Sequence, residues 1–375
     1  VDSARVSPNP NWTPAASGPT AADAAGDAIE RFHASIPGFT ATPLVDLPGV
    51  AAALGVERVV AKHERERLGL PSFKVVGASW AVAVALAARA GAAVPATFAE
   101  LVALVPTLEA GTTLTTATDG NHGRAVAHMA RLLGLPARIA VPDGTAAARV
   151  AGIASEGAGV AIHEGSYDDA VRAVAAEAAA EPRHVLVSDT SWPGYATIPE
   201  AVAAGYGTIF REAHDQLGGA KPFDLALVPA GVGALACCAV RSLARSGCAV
   251  VTVEPLAADC VRRSLVAGAP VTVPGPHGSI MAGLNCGEVS PLAWPVLRAG
   301  LRAAAAVGDD AVRDATRTLD AAGVASGESG AAALAGALAL AADAAGRDLL
   351  QRSATVLLLD TEGVTDPDAY AAIVG

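Results

Sequence analysis

The chain has 375 residues and a formal net charge of −11. A length of this order calls for two domains or one large α/β unit, and the acidic balance would repel a phosphate backbone, which sets nucleic acid aside as a partner. Hydrophobic residues reach 52% while aromatics reach only 4%, so the core must be assembled from Ala, Val and Leu.

Residues 1 to about 28 are rich in Pro, Ala, Ser and Gly and read as an arm without a core of its own. No basic stretch followed by an apolar one marks a secretory leader there. Residues 58–62 form the first β-branched run. From here short strand patterns alternate with longer Ala/Leu patterns of the helical kind. The next segment, Pro71-Ser72-Phe73-Lys74-Val75-Val76-Gly77, sets a lysine among small and apolar residues just before a helix. Taken alone it fits a surface lysine. If desolvated, its amine would have a lowered pKa and become nucleophilic toward an aldehyde. Residues 80–91 are Ala-rich and read as helix, because alanine loses no side-chain entropy on forming one.

Thr115-Thr116-Ala117-Thr118-Asp119-Gly120-Asn121-His122-Gly123 leads into a helical pattern over residues 124–133. Free backbone N–H groups at such a start bind anions, a carboxylate included. An ordinary cap built by Thr118 or Asp119 is the competing reading. Residues 138–141 and 184–187 read as strands. Tyr167, between them, either lines a site or packs at a helix start.

A strand over residues 224–228 runs into Pro229-Ala230-Gly231-Val232-Gly233-Ala234. Backbone N–H groups in this Gly-x-Gly turn can cradle a phosphate. The same stretch also spells Gly-x-Gly-x-x-Ala, and Glu254, just past a strand at 249–253, stands about where a ribose-binding acid is expected. A dinucleotide site therefore competes, although the motif falls past mid-chain and leaves Lys74 and residues 119–123 unexplained. Cys237, Cys238, Cys248, Cys260 and Cys286 form no CxxC pair and the histidines no HExxH, so no metal is expected. A sparse, odd cysteine set suits a reducing cytoplasm. The longest apolar run, residues 331–342, is shorter than the ~18 residues a membrane span needs. A last strand covers 355–359. Alternating strands and helices give an α/β class with parallel strands, and ligands bind at the loops after such strands. An aldehyde-reactive lysine, a carboxylate loop and a phosphate cup are together what pyridoxal phosphate (PLP) asks for when it acts on an amino acid.

Ser72-Phe73-Lys74, Gly120-Asn121-His122-Gly123 and Gly231-Val232-Gly233-Ala234, in this order, resemble the fold-type II PLP enzymes of the tryptophan-synthase-β type. These include serine and threonine dehydratases and cysteine synthase. Asp119 stands where the dehydratases usually have a small residue. Ser188-Asp189-Thr190-Ser191-Trp192-Pro193-Gly194-Tyr195, Met281-Ala282-Gly283-Leu284-Asn285-Cys286 and Thr361-Glu362-Gly363-Val364-Thr365-Asp366 look like the diaminopropionate ammonia-lyases. The resemblance runs from about residue 42 to the C-terminus.

The resemblance implies two α/β domains, a small one (84–196) inserted in a large one (1–83 and 197–375), with the cofactor in the cleft and a homodimer as the assembly. Lys74, beside Phe73, would form the Schiff base. The backbone of Gly231, Val232, Gly233 and Ala234 would bind the phosphate, Asn121 the ring's 3′ oxygen, and Thr361 the pyridine nitrogen. Thr118, with the Asp119, Gly120 and His122 backbone, would hold the substrate carboxylate, and Tyr167 would line the site. Asp119 would be a base near Cα, and Asp189 would face the second ammonium of diaminopropionate, a natural counter-charge. The sequence departs from the pattern at Asp360, where the lyases tend to have a small polar residue, and at Val364, where an acidic one is usual. An Asp360 that faced the ring would leave its nitrogen protonated and the electron sink stronger. Cys260 and Cys286 sit where some members have a cysteine pair; here a reduced pair is expected. The alternatives are a serine or threonine dehydratase or a related lyase of altered range, an NAD-dependent or nucleotide-binding protein, and a PLP fold that has lost activity and serves as a binding module.

Overall fold

A computed structural model describes residues 4–13, 21–218, 223–243 and 246–375. The chain divides into two compact units, one of Val1–Gly18, Ala41–Glu66 and Ile209–Gly375, the other of Pro19–Thr40 and Arg67–Thr208.

The larger unit holds a seven-stranded sheet. Its strands are β1 (Arg5–Pro8), β2 (Leu44–Asp46), β3 (Arg58–His63), β8 (Leu225–Pro229), β9 (Ala249–Pro255), β10 (Leu301–Val307) and β11 (Thr355–Asp360). Their order is β1-β10-β9-β8-β11-β3-β2. The five inner strands run parallel, as the alternating pattern requires, and only the edge strands β1 and β2 run antiparallel. Part of the arm read as coreless is thus β1, paired with β10 from Arg5↔Ala306 to Pro8↔Ala303; a proline is tolerated on such an edge. The helix Glu328–Ala342 is buried along most of its length and packs on β8, β10 and β11. It can lie close because it is rich in Ala and Gly: a Cβ on Gly336 would stand 2.3 Å from Val253 Cγ2. That burial explains its apolar run. Among the described residues no single helix is long and apolar enough to cross a membrane.

The smaller unit holds a parallel sheet of β4 (Thr113–Ala117), β5 (Ala137–Pro142), β6 (Gly159–His163) and β7 (His184–Leu186), in the order β6-β5-β4-β7. Its boundaries differ from the expected 84 and 196. The helix Lys74–Ala90 and the helix Thr197–Gly205 both belong to this unit, because they meet backbone to backbone. A Cβ on Gly205 would stand 2.8 Å from Gly77 Cα and 2.8 Å from Val76 O. Lys74, expected in the larger domain, therefore belongs to the smaller unit.

This contact yields a test. Gly205→Ala forces two helix backbones apart, so unfolding should show a loss of about 1–3 kcal/mol, the usual cost of overpacking. Gly207→Ala, two residues on, meets nothing within 4 Å and should be neutral or slightly stabilising. Equal urea midpoints for the two variants would show that the helices have room to spread.

Candidate active site

Lys74 is the first residue of its helix. Its Nζ donates to Asp189 Oδ2 at 2.7 Å, and Asp189 is buried. The other oxygen, Oδ1, accepts from Tyr167 Oη at 2.9 Å. His122 Nδ1 lies 4.0 Å from Asp189 Oδ2. Burial alone would depress the Lys74 ammonium, but Asp189, with Tyr206 and Asp119 behind it, outweighs burial and holds the amine well above its ordinary pKa. The sequence led to the opposite expectation, a desolvated amine with a lowered pKa; the missing term was the carboxylate. Burial likewise works to raise Asp189, and Lys74, His122 and the Tyr167 hydroxyl outweigh it and keep the carboxyl ionised.

Local structure fixes each member. Tyr167 opens the helix Tyr167–Ala180 behind a capping box of Ser166 and Asp169, so its ring is set by a defined helix start. Asp189 follows β7 in a loop held by Tyr195, whose Oη donates to Leu186 O at 2.9 Å and accepts from Ser188 N at 3.1 Å. His122 Nε2 donates to Val187 O at 2.7 Å, which places its proton on Nε2, since a carbonyl only accepts. Burial lowers the His122 pKa despite Asp189, leaving a neutral ring with the Nδ1 lone pair toward the acid.

The loop before the helix Asn121–Leu133 proves to be both a cap and a tight packing site. Thr118 Oγ1 accepts from Gly120 N at 2.9 Å and Gly123 N at 3.0 Å. The Gly120 N–H, expected on a substrate carboxylate, is therefore engaged within the loop, while the Thr118 hydroxyl keeps its hydrogen to donate. Gly120 has φ +151°, a conformation that L side chains rarely adopt. Gly123 is required by space: a Cβ there would lie 2.3 Å from Thr118 Cγ2 and 2.5 Å from Ile139 Cγ2.

In the larger unit, residues 231–234 form the turn between β8 and the helix Ala234–Leu243. Among the described residues no protein acceptor takes the N–H groups of Gly231, Val232, Gly233 or Ala234. Four unengaged donors at a helix start suit a phosphate. Side chains could not replace the glycines: a Cβ on Gly231 would sit 2.8 Å from Cys286 Sγ, and Gly233 has φ +95° with Leu297 Cδ1 2.7 Å from such a Cβ. Cys260 Sγ donates to Gly231 O at 3.8 Å, and both cysteines are buried. At the end of β11, Asp360 is bonded to His63 and Ser326, whereas the buried Thr361 side chain makes no hydrogen bond among the described residues.

Residues 36–362 match the family model described as pyridoxal-phosphate dependent enzyme. The chain belongs to this PLP-dependent family. Diaminopropionate ammonia-lyase of Escherichia coli strain K12 is 34% identical over 360 residues, covering 92% of this chain and 89% of that protein. The Salmonella typhimurium enzyme of the same name is 36% identical over 373 residues, covering 93% and 91%. The crystal structure of the E. coli enzyme in complex with D-serine superposes with a TM-score of 0.89 at 32% identity, covering 99% of this chain and 96% of that one. The fold is that of the fold-type II PLP enzymes, and the residues present fit the cofactor: a half-buried lysine amine and a glycine turn with bare N–H groups.

The PLP assignment also settles Glu254. This acid is fully buried, and its oxygens accept from Val261 N at 2.7 Å and Arg262 N at 2.8 Å, at the start of the helix Cys260–Ala267. It caps a helix of its own chain, so the ribose-binding acid of a dinucleotide site is missing. Sequence reasoning missed the His63–Asp360–Ser326 cluster and Arg149, a buried arginine whose Cδ would lie 3.3 Å from a Cβ on Gly120. The signal for the former was the unusual Asp360; for Arg149 there was none.

Glu254 gives a pH test. Burial pushes its pKa up to about 8 against the lowering effect of the two N–H donors, from an ordinary 4.5. The folded chain then holds a proton that the unfolded chain has released, so stability falls as pH rises through that window and levels off above it. Glu254→Gln cannot ionise, and its unfolding free energy relative to wild type should climb between about pH 5 and pH 8. Parallel pH profiles in urea unfolding would refute the shift.

Proposed function

We propose that this enzyme eliminates ammonia from 2,3-diaminopropionate and releases pyruvate and a second ammonia after hydrolysis. The observation that carries this reading is the buried Asp189 carboxylate, already holding one ammonium, that of Lys74. Once the Lys74 nitrogen is committed to the cofactor, Asp189 needs another cation. Diaminopropionate brings one on Cβ; serine and threonine bring only a hydroxyl. The similarity to diaminopropionate ammonia-lyases along nearly the whole chain supports the same reading.

The cofactor, when bound, supplies an aldehyde carbon for amines and a ring that accepts negative charge from Cα. The chain's own groups do the rest. Lys74 carries the cofactor and removes the Cα proton from one enantiomer; Asp119 removes it from the other. Residues 231–234 offer their N–H groups to the phosphate. Asn121 would bind the ring oxygen, and the Phe73 ring centre lies 5.4 Å from Lys74 Nζ. The Thr118 hydroxyl and the start of the Asn121–Leu133 helix hold the substrate carboxylate. The Tyr167 hydroxyl keeps Asp189 oriented and ionised for the β-ammonium. The family resemblance supports a homodimer, to be checked by light scattering.

Pyruvate release from diaminopropionate and serine, measured side by side, tests the substrate. Asp189→Ala should lower kcat/KM for both, since Lys74 loses its partner, but for diaminopropionate by a further ~10²-fold, the scale of losing a desolvated charge pair. An equal loss on both would make Asp189 structural. In the same assay, Asp119→Asn should cost one enantiomer of diaminopropionate about 10²–10⁴-fold and spare the other; equal losses would end the division of labour.

A further inference from the structure

We infer that Arg149 is a positioning residue for the substrate carboxylate: its side chain braces Gly120 at the start of the helix Asn121–Leu133 and adds positive charge to that end. The inference rests on the reading above that this helix start holds the carboxylate. Arg149 lies in the first turn of the helix Ala147–Ala154, in the same compact unit. Burial there is inverted. Ala147 and Ala148 are exposed, while the charged Arg149 is buried, and arginine is rarely buried unless its charge is matched. Its Cδ, Cβ and Cγ would lie 3.3, 3.6 and 3.6 Å from a Cβ on Gly120. Gly120 has no side chain of its own, so the methylenes of the arginine form its wall. The guanidinium, bonded directly to Cδ, cannot leave that end of the helix.

Two features hold the arginine's helix in place. Gly152 leaves room for Arg124, whose Nη1 would lie 3.2 Å from a Cβ there. Just past the helix, Glu156 accepts from His128 Nδ1 and Arg131 Nε, both at 2.9 Å. Arg124, His128 and Arg131 all belong to the helix Asn121–Leu133. The placement of Arg149 opposes folding electrostatics. Neither helix carries an acidic residue in its first turn, and a cation at a helix N-terminus meets the positive end of the dipole. Two helix starts and a guanidinium thus gather positive charge at one place. Asp143, before the second helix, turns to its own neighbour, Gly144 N, at 2.8 Å. Asp119 is committed by the function above to the Cα proton. A substrate carboxylate supplies the negative charge this arrangement favours, and a buried cation acts on it more strongly than one in bulk water.

The test uses holoenzyme and compares diaminopropionate with ethylenediamine, its carboxylate-free counterpart, followed as a competitive inhibitor. Arg149→Met keeps methylenes against Gly120 and drops the charge. It should raise KM for diaminopropionate about 10- to 50-fold, the scale of one charge at several ångströms in a partly shielded site, and leave kcat within about threefold. The inhibition constant of ethylenediamine should stay unchanged or fall. Arg149→Lys, which keeps the charge, should hold KM within about threefold of wild type. Equal losses for both ligands in Arg149→Met, or a folded Arg149→Lys with KM raised tenfold or more, would overturn the inference; the second comparison decides alone if the methionine variant does not fold. Turnover of serine and not of diaminopropionate by wild type would instead remove the proposed substrate, and serine against ethanolamine would then put Arg149 to the same test.

Discussion

An ammonium taken out of water must meet a carboxylate or give up its proton. At Lys74 the carboxylate is Asp189, 115 residues away in sequence. Much of the smaller unit serves this pairing. The close contact of Gly77 and Gly205 packs the helix that begins at Lys74, Tyr195 pins the loop that presents Asp189, and the Ser166–Asp169 box fixes where Tyr167 starts. Lys62 shows what a purely structural lysine looks like in the same fold. It is fully buried and donates to Thr42 O, Glu212 and Gln216, which engages all three of its protons. Lys74 donates one such bond among the described residues and keeps some solvent access. One lysine is saturated and the other keeps protons to spare.

The larger unit solves a different problem with the backbone. A phosphate carries charge that side-chain cations would meet at an entropic cost, and this chain, acidic overall, offers unengaged N–H groups instead. Parallel strands place the turn after β8 at the sheet's carboxyl edge, and the following helix directs its free donors there. The glycines answer to their walls, Cys286 on one side and Leu297 on the other.

Much of this was legible in the sequence, for reasons that also explain the failures. The strands at 58–62, 138–141, 184–187, 224–228, 249–253 and 355–359 are β-branched or leucine runs between turn signals, and each is present within a residue or two. β10 escaped notice because its centre, Ala303 to Ala306, is alanine, whose intrinsic preference is helical; burial between β9 and β1 overrides that preference. β1 was hidden by the proline-rich composition around it. The division at Arg67 and Thr208 rests in part on a glycine-to-glycine contact between distant helices, which leaves no periodic trace. The positions of Lys74, residues 119–123 and the glycine turn were legible, yet the charge state of Lys74 was not, since it depends on a contact across 115 residues.

Glu254 and Asp360 show two ways of holding a buried acid. Both are buried near strand ends of one sheet. Glu254 receives two backbone N–H groups of its own chain at a helix start, a closed arrangement that terminates a helix. Asp360 is met by side chains, an imidazole and a hydroxyl, each of which can be oriented, exchanged or repolarised without disturbing the backbone. Backbone donors fix an acid as architecture. Side-chain donors hold it in place through groups that can themselves turn, so the acid's position depends on the packing of His63 and Ser326 and not on a helix start.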